Sequence, residues 1–357
     1  MEYLEVDGSQ GEGGGQVLRT AVVFSVIKKM PIRVSKIRAG REVPGLKTQH
    51  VSALRVLADV FDGELADAVE GSSEVYFAPG SPKLDRIFLD MRTAASITLV
   101  LQAVVPAAAL SGSNLSLELV GGTDVPWSPT FDYFDVVLRE AYAAIGIRFD
   151  SKVGRRGYYP RGGGHVTVDV EACRAMKPLD LVARPSIDRV GALSRCAMIP
   201  RHVAERQLNS ATSVLDGAGI RLGHANVAEE KADSPGSSFL IYSTGDGALL
   251  GSDAIGARGK PAEAVGREAA NNFVGAVRSG ACLDANLADM VLPLLSLAPG
   301  PSRVSVPAVS SHLKTGLALA QQFTSCEFAM VEDGSRWVVS VKPARESSRL
   351  PTQRLKG

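Results

Sequence analysis

The chain has 357 residues, 45% of them hydrophobic, which is enough for a large core and more than one core usually serves, so two domains are expected. A formal net charge of +1 excludes a protein that coats nucleic acid by charge alone, and any nucleic-acid contact should be local. Cys173, Cys196, Cys282 and Cys326 form no CxxC pair and are too sparse for a disulfide scaffold, which points to a reducing compartment without a structural zinc site.

The N-terminus lacks a basic region followed by an apolar run, so no signal peptide is predicted. The first distinctive stretch is Asp7–Arg19, with five glycines, the carboxylates Asp7 and Glu12, and Arg19 at its end. It reads as a glycine-rich turn opening a helix, where bare backbone N–H groups suit an anion such as phosphate. A tight turn without a ligand is the competing reading; Glu12 and Arg19 favour the ligand, because neither is needed to make a turn. No Gly-Lys-Ser or Gly-Lys-Thr follows, so this is not a P-loop.

Three copies of a helix–turn–strand phrase follow in chain order. The first is a helix over Gln16–Ile27 and a strand over Ile32–Ile37; the second a helix over Ala94–Ala109 and a strand over Leu115–Val120. The third is a helix over Asn286–Leu297 and a strand over Arg303–Val306. Each is followed by an amphipathic helix, Thr48–Phe61, Phe131–Ala144 or Leu313–Phe323, and by a strand pair. The pairs lie between Glu64 and Phe77, at Ile147–Asp150 with His165–Val170, and at Glu327–Glu332 with Trp337–Val341. The second helix, Ala94–Leu110, is apolar but broken by Gln102 and Pro106, which predicts a buried helix and no membrane span.

The first two phrases end roughly 80 residues apart and the last two about 190, leaving on the order of 100 residues over if the period holds. That surplus is assigned to an inserted α/β domain at 184–280, with helices over Val203–Leu215 and Ala262–Val277 and strands over Leu222–Glu229 and Ser238–Ser243. Residues 1–183 and 281–343 then form one discontinuous large domain, and 344–357 a polar tail expected to be mobile. The fold class is α+β, built from α/β repeats.

Arg38, Arg41 and Lys47 cluster in a Gly- and Pro-containing loop after the first strand, where forked guanidinium donors suit phosphate; a solvated charged loop is the alternative. Arg155, Arg156, Tyr158, Tyr159 and Arg161 precede a triglycine and are of the kind that handles single-stranded RNA, with a plain tight hairpin the competing reading. His312 sits where a strand ends and a helix begins, a place from which imidazole can act as base, ligand or nucleophile. His50, His165, His202 and His224 lack that setting, and no HxH or HExxH pair suggests a histidine-bound metal.

Taken together, Asp7–Arg19, Ile37–His50, Arg92–Gln102, Gly121-Gly122-Thr123-Asp124-Val125-Pro126-Trp127, the triglycine after Tyr159-Pro160, Gly256–Gly266 and the His312 motif closely resemble the RNA 3′-terminal phosphate cyclases. The matched blocks keep the family's order over almost the whole chain. The resemblance implies a large domain of three repeated units, each two helices on a four-stranded sheet, similar to the C-terminal domain of bacterial translation initiation factor three, with a smaller domain inserted. It implies ATP as co-substrate, a Mg or Mn ion, RNA 3′-phosphate ends as partners, a cytoplasmic location, no membrane partner, and a homodimer as the candidate assembly.

In that family the histidine matching His312 takes AMP from ATP, passes it to the RNA 3′-phosphate, and the vicinal 2′-hydroxyl then expels AMP to leave a 2′,3′-cyclic phosphate. Glu12 is the candidate metal ligand, and Asp289 a second ligand or the group that orients His312. Arg19, Arg38 and Arg41 are expected on the RNA phosphate or the departing pyrophosphate. Gln102, Asn286, Leu287, Ala288, Asp289 and Met290 are expected at the adenylate, with Pro129 and Phe131 nearby. Asn286 and Met290 stand where the family commonly has Tyr and Gln, Ala95 replaces a usual glycine and Gly316 a common asparagine, so weaker adenine stacking or a shifted nucleotide preference is expected. Two competing readings are the family's non-catalytic branch in ribosome assembly, which lacks the histidine, and a sugar-enolpyruvyl transferase built on similar repeats.

Overall fold

The structure is a computed structural model that describes residues 2–11, 13–184, 187, 189–245 and 247–344. Among them the fold is mixed α+β, with eight α-helices and four four-stranded sheets. The first sheet comes from β1 (Leu4–Asp7), α1 (Gly15–Lys28), β2 (Ile32–Ser35), α2 (Thr48–Val60), β3 (Glu64–Ala66) and β4 (Val75–Ala78), in the order β1-β2-β4-β3. The second comes from β5 (Arg86–Asp90), α3 (Ile97–Leu110), β6 (Leu115–Gly121), a π-helical segment Tyr133–Leu138 running into α4 (Arg139–Ala144), β7 (Arg148–Arg155) and β8 (Gly164–Glu171), in the order β5-β6-β8-β7.

After β9 (Asp180–Leu181) the chain builds a separate sheet from β10 (Val190–Ala197), α5 (His202–Gly217), β11 (Leu222–Glu229), β12 (Gly236–Gly245), β13 (Ala248–Ile255) and α6 (Ala262–Arg278), in the order β11-β10-β12-β13. It then returns through α7 (Ala285–Val291), a 3-10 helix Leu292–Leu297, β14 (Ser302–Val306), α8 (Ser311–Thr324), β15 (Glu327–Asp333) and β16 (Arg336–Lys342). That sheet has the order β15-β16-β14-β9, so β9 pairs across the intervening segment through Arg303 with Asp180 and Val304 with Leu181. In the first, second and last sheets the opening pair is parallel and the remaining pairs antiparallel. A helix must span each parallel pair, and the returning hairpin closes each sheet.

Helix packing follows from composition. In α3 the stretch Ile97–Ala109 is buried on nearly every side apart from Gln102, as expected of a helix that is apolar all round and sits inside a core. Val17, Leu18, Val22, Phe24 and Val26 of α1, with Leu313, Leu317 and Phe323 of α8, belong to the same large core; Phe24 stacks on Phe323 at 5.6 Å. Val190, Leu215, Phe239, Ile241, Leu250, Val265, Ala269 and Phe273 form a second core between α5, α6 and their sheet. No helix among the described residues is long and apolar enough to cross a membrane.

Several elements differ from the sequence reading. The opening strands β1, β5 and β9 escape it because they are edge strands of only two to five residues with half-polar sequences, too brief for a period to register. β10 and β13 escape it because both faces are largely buried, so the inward–outward period vanishes. The single helix expected over Asn286–Leu297 changes to a 3-10 helix at Leu292, where Pro293 lacks the N–H that would continue an α-helix. The tail expected at 344–357 lies, from Arg345 onward, outside the described residues.

Candidate active site

A cleft of about 1270 Å³ opens among the first, second and last sheet units. Its wall includes Gly14 and Gly15 at the start of α1, Lys47, Gln49 and His50 at the start of α2, Ser96 capping α3, and His312 in the first turn of α8. Four helix N-termini therefore border one space, and the partial positive charge each carries suits phosphate groups. Glycine is required where the loop is tightest. A Cβ on Gly11, whose φ is +61°, would run into Thr315 Oγ1 of α8, and a Cβ on Gly15 would overlap the His50 imidazole. The glycine stretch is thus pressed between α8 and α2; a Cβ at Gly14 would lie 3.3 Å from an Arg41 nitrogen and 3.9 Å from His312 Cε1.

Arg19, Arg38 and Arg41 all face this cleft. Arg19, one turn along α1, makes no hydrogen bond or ion pair among the described residues, and burial pushes its guanidinium down to about 10. Arg38 has a left-handed φ of 56° and reaches the Val43 carbonyl at 3.3 Å; burial and the neighbouring Arg41 lower its value too. Cations held this close to one another are stabilised by an incoming anion.

His50 belongs to the same wall, contrary to the expectation that it lacked a functional setting. It is 2% exposed, and its Nδ1 accepts the Lys47 backbone N–H at 3.0 Å, so the neutral ring carries its proton on Nε2, toward the glycine turn. Burial, then Arg19, Arg38 and Lys47, push its value from 6.5 down to about 3. The folded value is depressed, so this group's contribution to stability is present above 6.5 and is lost as pH falls towards 3. In His50→Gln the amide can keep the bond to the Lys47 N–H without titrating. Urea unfolding should show the parent losing about 1.4 kcal/mol per pH unit relative to this variant below 6.5. A constant difference across that range would refute a permanently neutral His50.

On α7 the helical period decides which residues reach the cleft. Asn286, Asp289 and Met290 share one face and line it, whereas Leu287 and Ala288 point into the core and are 0% exposed. Any direct side-chain contact of Leu287 or Ala288 with a nucleotide is therefore not supported. Phe131 is likewise buried, 5.8 Å beneath the Arg156 guanidinium, while Pro129 and Gln102 do line the cleft. Pro106, one turn after Gln102 in α3, supplies no N–H to the Gln102 carbonyl. Glu12 lies outside the described residues.

Hydrogen bonds on either side fix the turn that carries His312. Ser310 caps α8 by accepting the Leu313 N–H at 2.8 Å, and its hydroxyl donates to Asp289 Oδ1 at 2.5 Å, joining α7 to α8. The Gln16 side-chain amide donates to the His312 carbonyl at 3.3 Å. Beneath them, Tyr133 donates to Asp284 at 2.9 Å, and Asp284 also accepts N–H groups from Leu287 and Gly251, each at 2.9 Å, so α7 is capped against β13. Burial pushes the Asp284 carboxyl up to about 6 in spite of these donors.

The segment that carries Pro129 is fixed from the other side. Arg156, 1% exposed, donates to Asp124 at 3.3 Å, Asp132 at 2.6 Å and Glu230 at 2.7 Å, and Arg195 donates to Asp132 at 3.2 Å. Asp253 of β13 accepts the Thr130 N–H at 2.6 Å. Gln16, Tyr133 and Asp253 carry no local signal, because each acts on a partner distant in sequence, whereas Asp284 is the N-cap of α7, three residues before the Leu287 whose N–H it accepts.

A histidine in a helix turn, three clustered arginines and four neighbouring helix N-termini line one cleft, a combination suited to phosphate esters. Residues 10–330 match the profile described as RNA 3'-terminal phosphate cyclase. Similar proteins named "RNA 3'-terminal phosphate cyclase" occur in Methanopyrus kandleri, 39% identical over 350 residues covering 96% of this chain and 99% of that protein. Another from Desulfurococcus amylolyticus is 42% identical over 330 residues, covering 90% and 92%, and one from Thermococcus kodakarensis 40% identical over 323 residues, covering 90% and 93%. The chain belongs to the RNA 3′-terminal phosphate cyclase family.

Proposed function

We propose that this chain uses ATP to convert an RNA 3′-terminal phosphate into a 2′,3′-cyclic phosphodiester, with His312 as the nucleophile. The observation that carries this reading is His312 in the first turn of α8, facing a cleft shared with Arg19, Arg38, Arg41 and three further helix N-termini. An unprotonated ring nitrogen attacks the α-phosphorus of ATP, and the bond to pyrophosphate breaks. A 3′-phosphate oxygen of the RNA then takes the AMP from His312. The 2′-hydroxyl attacks this activated phosphorus, loses its proton and expels AMP, so ATP and RNA 3′-phosphate become AMP, pyrophosphate and the cyclic ester. Adenylation is needed because a phosphate dianion has no adequate leaving group of its own.

The residue roles follow the geometry. Arg19, Arg38 and Arg41 balance the phosphates, and the Ser310–Asp289 pair fixes the α8 turn that presents His312. Gln102, Pro129, Asn286 and Met290 form the wall for the nucleotide, with Asn286 and Met290 stacking less strongly on adenine than a tyrosine would. A Mg or Mn ion carried mainly by the nucleotide phosphates, with Glu12 as protein ligand, belongs to the same reading. Such an ion supplies charge neutralisation on the phosphates.

We further read residues 1–183 and 281–343 as one domain of three repeated units and 184–280 as an insertion, a division supported by the recurring sheet order and the two cores. A cytoplasmic location and a homodimer are part of the same reading. His312 weighs against the non-catalytic branch of the family. A solved EPSP synthase from Acinetobacter baumannii covers 95% of this chain and 64% of its own, at 11% identity and a TM-score of 0.29, too low for any argument about a transferase. Incubating the full chain with α-labelled ATP and Mg or Mn should give protein-bound AMP that is acid-labile and alkali-stable. Absence of label with either metal and with other nucleotides would overturn the enzymatic reading.

A further inference from the structure

Trp127 is 98% exposed and Tyr159 71% exposed, and both stand on the rim of the cleft that holds His312 and the arginines. Their loops share a base, where the Thr123 N–H donates to the Gly157 carbonyl at 2.8 Å and the Gly157 N–H to Thr123 Oγ1 at 2.9 Å. Tyr158, next in sequence, is 3% exposed, and Arg156 is locked in its carboxylate network, so of the aromatic and basic cluster around them Tyr159 is the aromatic left facing outward. Among the described residues neither exposed ring stacks on another aromatic ring or lies beneath a cation.

Trp127 is held there against two unfavourable terms. Its φ of 62° is in the left-handed region, uncommon for a bulky side chain, and its large apolar face stays in water. The loop is nonetheless fixed on both sides: Ser128 Oγ donates to the Val125 carbonyl at 2.8 Å, Thr98 Oγ1 to the Pro129 carbonyl at 2.8 Å, and Asp253 accepts the Thr130 N–H at 2.6 Å. Structure that over-determines a strained, exposed aromatic beside a phosphate cleft marks a contact surface for what enters that cleft.

We propose that Trp127 and Tyr159 form a stacking platform for the unpaired bases at the 3′ end of the RNA, holding the terminal nucleotides while their phosphate reaches the arginines and His312. This rests on the reading of the cleft as an RNA phosphate site. The chemistry fits because every base has a π-face that an aromatic ring can hold, so the platform grips single strands irrespective of sequence and leaves double-stranded ends unbound.

The test uses full-length Trp127→Ala and Tyr159→Ala with a short single-stranded 3′-phosphate oligonucleotide. Each should raise KM for the oligonucleotide by about tenfold, with kcat and the KM for ATP in self-labelling moving by less than about twofold. Trp127→Phe should recover most of the loss. An oligonucleotide with abasic terminal positions should bind the parent weakly and lose nothing further on Trp127→Ala. A rise in KM for ATP instead would assign the rings to adenine and overturn the platform, as would an unchanged KM for RNA. If the parent fails to label with ATP, the enzymatic reading falls, and direct titration of the same oligonucleotide against parent and variants still decides the platform.

Discussion

His312→Ala should abolish covalent AMP formation, a loss on the order of 10⁴-fold or more, while leaving the fold intact. The loss is large because alanine offers no nucleophile. The fold should survive because Ser310 caps α8 through the Leu313 N–H and Gln16 reaches the His312 carbonyl, both of which alanine keeps. His312 is partly exposed, so truncation removes little packing, and unfolding midpoints should stay within about 1 kcal/mol of the parent. Labelling with α-labelled ATP, alongside urea unfolding of the same sample, checks both halves. Persistent acid-labile label in the variant would mean that another residue is the nucleophile.

Arg156→Ala should be the most damaging single change to stability, by about 3–5 kcal/mol at neutral pH. Arg156 is 1% exposed and its side chain meets Asp124, Asp132 and Glu230, whose side chains are 0%, 10% and 24% exposed. Burial alone would lower its value, but these carboxylates hold it well above the ordinary one, so the guanidinium remains charged. Removing it leaves Asp124 with the Thr123 hydroxyl and no cation, and leaves Arg195 as the remaining cation for Asp132 and Glu230. An unpaired buried carboxylate is relieved by taking up a proton, so the deficit relative to the parent should shrink as pH falls towards about 4. Arg156→Lys keeps the charge but not the fork, and should lose less than alanine. Urea unfolding of the three proteins at several pH values checks this; an alanine midpoint equal to the parent's would refute the network's importance.

The network also shows how the separate sheet of β10–β13 bears on the cleft. Glu230 and Arg195 come from that part of the chain, Glu230 pairing with Arg156 and Arg195 with Asp132, and Asp253 accepts the Thr130 N–H, so the wall that carries Pro129 is braced by residues far along the sequence. Nothing in the sequence around Glu230 or Asp253 announces this. A carboxylate in a strand looks the same whether it faces water or a buried arginine, and the distinction is made by the packing that excludes water.

Much of the layout was legible from periodicity. The helices of the three phrases lie within a few residues of their expected positions because their apolar residues recur with the helical period, and Gly13 to Gly15 mark the entry to α1. Short edge strands, fully buried strands and the 3-10 turn at Pro293 were not, since each is too brief for a period to register, lacks an alternating pattern or breaks one. In the site, Arg19, Arg38, Arg41 and His312 stood out as charged or nucleophilic residues at turns. His50 was passed over because a buried neutral imidazole and an ordinary helical histidine share the same local sequence.

The sequence by itself determined the chemical parts and the order in which they come: a glycine-rich helix start, a triad of arginines, a histidine opening a late helix, and a family pattern running almost end to end. Tertiary structure alone decided that four helix N-termini meet at one cleft, that Asn286, Asp289 and Met290 face it while Leu287 and Ala288 do not, and that Trp127 and Tyr159 stand on its rim. The physical reason is that residue type and helix start are local properties, whereas convergence depends on how separate sheets and helices bury their apolar faces against one another.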